Sequence, residues 1–181
     1  DDDDNGNDDC DGESKGNGEG DGDGDGYGDG DGEGDGNGDG IADTQQAAVS
    51  STQFRVTDNI STDPAAAPTF VTLVADSTDG KASPASGATI TEIKQLDAPA
   101  DTPADLTTPL GLISFKASVA EVGSQESFSL FVDANLGVNG YWKKDASGTW
   151  VNLASEAHGG KMVSEGGKLR LDFVIEDGGQ F

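Results

Sequence analysis

The chain has 181 residues, of which 35 are acidic and 10 are basic, and its formal net charge is −25 at pH 7. Nucleic acids and anionic membranes are recognised through basic surfaces, so this charge excludes both as natural partners. Metal ions and neutral or cationic surfaces remain as possible partners. The sequence opens on Asp1, without a methionine or a signal-like apolar stretch, as expected of a processed chain. No apolar run is long enough to insert into a membrane. We therefore expect an exported protein that works outside the cell or on a bacterial cell surface.

Residues 1–43 form an acidic arm. Its first 40 residues hold 17 of the acidic residues and a single basic residue, Lys15. From Gly16 to Gly40 every even position is glycine, and nearly every odd position carries an oxygen-bearing side chain. An extended backbone would place these side chains on one face and bare glycine on the other. Such a tract buries no apolar surface and repels itself, so we expect an external agent to order it.

The arm repeats the spacing of oxygen ligands that is found in calcium-binding loops. Ligand residues at positions 1, 3, 5 and 9 with glycine at position 6 match the first nine positions of such a loop. The three copies, with the further acidic residues of the tract, predict these ligands: Asp1, Asp3, Asn5, Asp9, Glu19, Asp21, Asp23, Asp25, Asp29, Asp31, Glu33, Asp35, Asn37, Asp39 and Asp43. The twelfth position of the last copy is Gln46 rather than a bidentate glutamate, so that loop is incomplete. We expect several Ca²⁺ ions to bind, with a solvated acidic linker as the alternative.

The last copy of the repeat meets the domain at Ile41. This apolar residue is expected to anchor the arm to the domain.

Cys10 is the only cysteine, so it cannot form a disulfide within one chain. It is either an incidental thiol or a site for an intermolecular disulfide.

Residues 44–181 have the pattern of an all-β domain. Apolar residues alternate along short segments, among them Thr89 to Leu96 and Leu169 to Ile175, and glycine-containing turns separate them. The continuous apolar run from Phe70 to Ala75 predicts a central strand, because both of its faces must be buried. We predict an antiparallel β-sandwich, jelly-roll-like, with Lys168, Arg170 and Asp172 facing outward.

Two stretches resemble known families. The run DGNGDGIADTQQAAV resembles the thrombospondin type 3-like acidic segments that precede domains in bacterial surface proteins, which implies calcium-stabilised spacing elements. The runs TFVTLVAD, TPLGLISFKASV, SFSLFVDANLGVNGYWKKDASGTWVNL and KLRLDFVIEDGGQF are similar to the choice-of-anchor U domain of exported bacterial proteins. That resemblance covers most of residues 41 to 181. The family usually continues past DGG into an acidic motif and a surface anchor, whereas this sequence ends at Phe181.

The sequence has few residues that could form a catalytic site. His158 is the only histidine, so neither a histidine metal site nor an ordinary serine triad can be assembled. The neighbouring acids Glu176 and Asp177 would point to opposite faces of a strand. We therefore predict that the protein is not an enzyme.

Three aromatic residues, Tyr141, Trp142 and Trp150, flank the turn from Asp145 to Gly148. Exposed, their rings could stack on sugars; buried, they would pack across a hairpin, which we favour. The sequence thus predicts a calcium-stabilised structural subunit of a surface or filamentous homo-polymeric assembly. The alternative is an adhesin that recognises a carbohydrate or a protein, with the arm as a stiff spacer.

Overall fold

The computed structural model describes residues 34–118, 123–165 and 167–176. This part of the chain is all-β, as predicted, and its helical elements are three short 3₁₀ turns at Asp43–Gln45, Ala134–Leu136 and Glu156–His158. The strands are β1 (Val49–Arg55), β2 (Pro68–Ala75), β3 (Ser77–Thr78), β4 (Lys81–Ala82), β5 (Thr89–Leu96), β6 (Leu112–Ser118), β7 (Gln125–Asp133), β8 (Trp142–Lys144), β9 (Trp150–Asn152), β10 (Lys161–Glu165) and β11 (Lys168–Glu176).

Five of these strands form one antiparallel sheet in the order β1-β2-β7-β11-β10. The remaining strands pair as three two-stranded ribbons, β3–β4, β5–β6 and β8–β9. Strand β2 lies inside the sheet, which confirms the prediction from its continuous apolar run. Its residues from 71 to 75 are all buried, because both faces of the sheet are covered at that point.

The inner face of the five-stranded sheet carries the main apolar core. Leu73, Leu130 and Leu171 stand directly opposite one another on β2, β7 and β11. Each of them is at most 2 % exposed. Phe115 of β6 and Val151 of β9 pack against this core from the other side. The β5–β6 and β8–β9 ribbons therefore cover the inner face.

The outer face of the same sheet is largely polar, yet it is also covered. Ser51, Thr72, Phe131 and Arg170 follow one another across four strands on this face. Arg170 is 3 % exposed and Lys168 is 7 % exposed. Their predicted outward direction is correct, but they do not reach open solvent, because residues 34–46 and the β3–β4 ribbon lie over them.

The free edge of β1 is partly closed by β5. The side-chain amide of Gln95 accepts a hydrogen bond from the Arg55 backbone N–H at 2.8 Å and donates one to the Arg55 carbonyl at 2.7 Å. The Ile90 N–H donates to the Ala47 carbonyl at 2.9 Å. One glutamine side chain thus takes the place of a strand backbone and ties the β5–β6 ribbon to the sheet.

Several predicted elements are confirmed at their expected positions. Strand β5 spans Thr89–Leu96, and β8 pairs with β9 around the predicted turn. Asp79 and Gly80 form the two-residue loop between β3 and β4, with φ values of 51° and 87°. Such positive values suit a tight hairpin turn and favour glycine. Strand β10 was not predicted, because its two apolar residues, Met162 and Val163, are adjacent and do not alternate with polar residues.

Candidate functional site

The last copy of the arm's repeat is packed on the outer face of the sheet. A Cβ atom added to Gly36 would lie 2.0 Å from the Thr72 hydroxyl oxygen and 2.6 Å from that of Ser51. The Lys168 ammonium donates to the Gly36 carbonyl at 3.0 Å. Only a residue without a side chain allows the arm's backbone to approach the sheet this closely.

Asp43 closes this loop and is buried beneath it. Its carboxylate accepts the Gly36 N–H at 3.0 and 3.1 Å and the Ser51 hydroxyl at 2.5 Å. Its own N–H donates to the Gly34 carbonyl at 2.8 Å. Burial raises the pKa of the Asp43 carboxyl, while the hydrogen bonds from Ser51 and Gly36 act in the opposite direction. The residue thus fastens the loop to β1.

Asn37, Asp39 and Gln46 form a second set of contacts. Asn37 is 5 % exposed, and its amide nitrogen donates to the Asp39 carboxylate and to the Gly80 carbonyl, both at 3.1 Å. The Gln46 amide nitrogen donates to the same Asp39 oxygen at 2.8 Å. The amide oxygens of Asn37 and Gln46 are buried without a hydrogen-bond partner. The two amide oxygens of Asn37 and Gln46 are therefore free to accept a further bond, and both amides contact the Asp39 carboxylate.

These donors fit calcium in kind, since it accepts carboxylate and amide oxygens. In this loop the Asp35 carboxylate is already used within the arm, because it accepts the N–H groups of Asp39 and Gly40 at 3.1 and 2.8 Å. Among the described residues no group of three or more histidine, cysteine or acidic side chains is placed to hold a metal. Calcium binding by Asp35, Asn37, Asp39 and Asp43 stays a prediction.

The structure corrects the expected anchor of the arm. Ile41 is 44 % exposed, whereas Asn37 and Asp43 are buried. The loop is therefore held by polar contacts rather than by an apolar side chain. The predicted calcium ligands from Asp1 to Glu33, and Cys10, lie outside the described residues.

On the opposite side of the sheet lies a cavity of about 520 Å³. Its floor includes Leu130, Val132 and Leu171, and its walls come from segment 96–115 and from the β8–β9 ribbon. The three predicted aromatic residues all line it. The cavity is therefore the place where the aromatic residues come together.

The three aromatic side chains differ in role. The Tyr141 ring stacks on Phe173 of β11 with ring centres 3.9 Å apart and an angle of 6° between the planes. It therefore packs on the five-stranded sheet and not across the hairpin, where Trp142 lies opposite Asn152 and Trp150 opposite Lys144. Trp142 is 38 % exposed, and its indole N–H donates to the Asn139 side chain at 3.3 Å. The Lys144 ammonium lies 6.0 Å from the centre of the Trp150 ring. Packing thus accounts for Tyr141, while Trp142 remains accessible.

The sequence analysis did not identify Lys143, a lysine that lines the cavity. It lies opposite Val151 in the β8–β9 register, and Val151 packs on the core, so Lys143 belongs to the inward face. Burial lowers the pKa of its ammonium group. The neighbouring Lys144 pairs with Asp101, whereas Lys143 has no ion pair with any described residue. Its placement two residues after Tyr141 was the signal available in the sequence.

The buried Arg170 is the centre of a separate group of charges on the outer face. Its guanidinium donates to the Asp172 carboxylate at 3.0 Å, to the Glu165 carboxylate and to the Asp79 carbonyl at 2.8 Å. Its side chain is 4 % exposed, whereas those of Asp172 and Glu165 are 16 % and 43 % exposed. The group holds β10, β11 and the β3–β4 ribbon together.

No family model matches the chain, and no curated protein or solved structure shows significant similarity to it. In the part of the chain that the structure describes, no helix is long and apolar enough to cross a membrane.

Proposed function

We propose that the protein is a non-enzymatic structural module of the extracellular space, in which an all-β domain carries a calcium-binding acidic arm. The module works as a subunit of a cell-surface or filamentous assembly. The observation that carries this proposal is the packing of the arm's last repeat on the sheet, through Gly36, Asn37 and Asp43. A mere flexible spacer needs no buried contacts with the domain that follows it.

This packing gives the arm a fixed point of departure from the domain. Gly36, Asn37 and Asp43 hold the last repeat against β1 and the β3–β4 turn. An arm that leaves a domain at a defined point can set the spacing between subunits once it is stiffened. Calcium supplies the stiffening in this proposal, because it replaces the repulsion between neighbouring carboxylates by shared coordination.

We propose that the alternating glycines of the arm allow copies of the chain to assemble. One side of an extended arm lacks side chains, so the backbone of a second copy can approach it closely. Contact between an arm and the next subunit does not close on itself, and it therefore produces a filament.

Sedimentation velocity of the whole chain, in calcium and in chelator, tests the proposal. We expect a calcium-dependent gain in mass that magnesium does not reproduce, since magnesium demands near-octahedral geometry. As a matched variant, alanine at alternate glycines from Gly22 to Gly34 keeps every ligand but adds methyl groups to the bare face. Assembly of that variant like the parent, or a parent that stays monomeric in calcium, would contradict the proposal.

The domain architecture that we propose is a β-sandwich of the jelly-roll type. The β5–β6 and β8–β9 ribbons supply the second layer, with Phe115 and Val151 facing the core of the five-stranded sheet. The side-chain bridge from Gln95 to Arg55 supports continuity between the layers.

A second candidate function is that of a binding module, and the cavity favours it. Its volume lies within the range of about 300–1,000 Å³ that small-molecule sites occupy. It combines mostly apolar walls with a few polar side chains, as such sites do. The arm would then present this domain at a distance from the surface that bears it.

A further inference from the structure

We propose that the cavity binds a small apolar molecule with one carboxylate group, which pairs with the Lys143 ammonium and accepts a hydrogen bond from the Tyr141 hydroxyl. This inference rests on the second candidate function, the binding module, and names the ligand class for it.

Lys143 carries a charge that no described residue pairs. It is half-buried, so its ammonium group loses part of its hydration, and proteins usually offset such a loss with a carboxylate. Lys144, the next residue, follows this rule through its ion pair with Asp101. For Lys143 burial alone lowers the pKa, and no described carboxylate raises it. An anionic ligand would supply the missing partner within the cavity.

Tyr141 contributes a hydroxyl group close to Lys143. Tyr141 immediately precedes β8, and its carbonyl accepts the Leu153 N–H at 2.8 Å. Lys143 follows two residues later, about 7 Å further along an extended backbone. Both line the cavity. Burial raises the pKa of the Tyr141 phenol, so it stays protonated and can donate a hydrogen bond. The described residues provide no hydrogen-bond partner for this hydroxyl, which leaves two donors on one wall.

The other walls of the cavity determine the body of the ligand. Leu106, Leu112, Ile113 and Phe115 contribute aliphatic and aromatic surface to the cavity. Polar side chains such as Thr108, Ser114 and Asn139 also line the cavity, but apolar surface predominates. A sugar has hydroxyl groups on every side, and those that face the apolar walls would lack partners, at a cost for each. An apolar body matches these walls. The net charge of −25 further disfavours ligands with several negative charges.

Isothermal titration calorimetry of the whole chain with decanoate, with 1-decanol and with a neutral trisaccharide tests this inference. The informative variant is Lys143→Met, which keeps the aliphatic stem and removes the charge. Lys161→Met is the matched control, because Lys161 does not line the cavity and already has an ion-pair partner, Asp79. Tyr141→Phe removes the second donor and keeps the ring that stacks on Phe173.

We expect decanoate to bind the parent and to bind Lys143→Met roughly 10- to 100-fold more weakly, as for the loss of a charged hydrogen bond. Lys161→Met should bind it like the parent, and 1-decanol should bind all variants equally, which also shows that they are folded. Equal decanoate affinity in the parent and in Lys143→Met would overturn the inference. Trisaccharide binding without decanoate binding would overturn the ligand class but keep the binding module. A parent that binds none of the three probes would overturn both.

Discussion

The two faces of the five-stranded sheet are both covered, but by opposite chemistry. The inner face is sealed by apolar side chains such as Leu130 and Phe173, each at most 2 % exposed. The outer face is sealed by the end of an acidic arm and by a short ribbon, mainly through hydrogen bonds that Ser51, Lys168 and Arg170 donate. A small apolar cluster of Val49, Val74 and Phe131, with Ala82 of the ribbon against it, adds to this cover. The inner face therefore supplies the apolar burial that stabilises the fold, while the outer face fixes where a charged segment attaches.

This difference implies different sensitivities. Apolar packing has no direction, so a substitution on the inner face should cost stability in proportion to the volume removed. Hydrogen bonds depend on geometry and charge. The stability of the contacts on the outer face should therefore change when a single donor or acceptor is removed, and with pH and ion concentration. Each of the following changes is directed at one face.

The largest effect is expected from Phe173→Ala on the inner face. This ring is 1 % exposed and stacks on both Tyr141 and Phe128. Its removal should lower the free energy of unfolding by about 3–5 kcal/mol, measured by urea denaturation. Met162→Ala, at a 37 % exposed position of the edge strand, is the control and should cost about 0.5 kcal/mol. Similar losses in the two variants would contradict the inner face as the main source of stability.

Arg170→Met should have the next largest effect, on the outer face. It removes the nearer cation of Asp172, whose side chain is 16 % exposed, while the Lys161 ammonium stays 4.0 Å from that carboxylate. We expect a loss of about 2 kcal/mol, less than the 3–5 kcal/mol of a fully buried pair, because the acidic partners keep some solvent. Lys161→Met removes an exposed partner of Asp79 and should change the unfolding free energy by less than about 1 kcal/mol. If chemical denaturation shows no difference between these two variants, the buried charge group does not stabilise the sheet.

Gly36→Ala tests the attachment of the arm. Its added methyl group would overlap the Thr72 hydroxyl, so we expect a loss of about 1–3 kcal/mol, as for overpacking. Proteolysis near residues 34–46 should also become faster, because the loop lifts from the sheet. Gly38→Asn is the control: Gly38 has a φ of 67°, a Cβ atom added there would meet no atom within 4 Å, and asparagine tolerates that conformation. Unchanged proteolysis in Gly36→Ala would show that the close approach is not required.

The smallest effect concerns pH and Asp43. Because burial raises its pKa in the folded protein, the folded state binds this proton more tightly than the unfolded state does. The resulting stabilisation is complete below the ordinary value of 3.8 and is lost as the pH rises through the raised value. Relative to Asp43→Asn, the parent should therefore gain stability as the pH falls from neutral toward 4. Melting curves in chelator measure this difference, and a difference that is constant with pH would refute it.

The comparison of the two faces also explains which features the sequence could predict. The inner-face residues from Leu169 to Ile175 and the central strand β2 follow from local alternation and apolar runs, and both were predicted correctly. The burial of Arg170 was not predictable, because its cover comes from residues far away in the sequence. Likewise, no local pattern shows that a ribbon turn, through the Gly80 carbonyl, receives the side chain of Asn37.

The candidate sites show the same limit. The aromatic residues near the cavity were identified from their positions on either side of a predicted turn, but the cavity itself depends on the distance between two ribbons and the sheet. Lys143 was overlooked because Lys144, the adjacent lysine, has the same local sequence context. The prediction that Ile41 anchors the arm was wrong, because it relied only on the apolar character of that residue. This junction is held by polar contacts of the buried residues Asn37 and Asp43.

The central claim is that the last repeat of the arm joins calcium binding to the stability of the domain. Thermal unfolding of the whole chain, followed in increasing calcium and in chelator, tests it most directly. If Asp35, Asn37, Asp39 and Asp43 bind an ion in the loop that packs on the sheet, the domain should gain about 2.7 kcal/mol at a hundredfold excess over the dissociation constant. The gain should disappear in Asp39→Asn. A melting temperature that calcium leaves unchanged would contradict the claim and would confine any calcium sites to the arm beyond this loop.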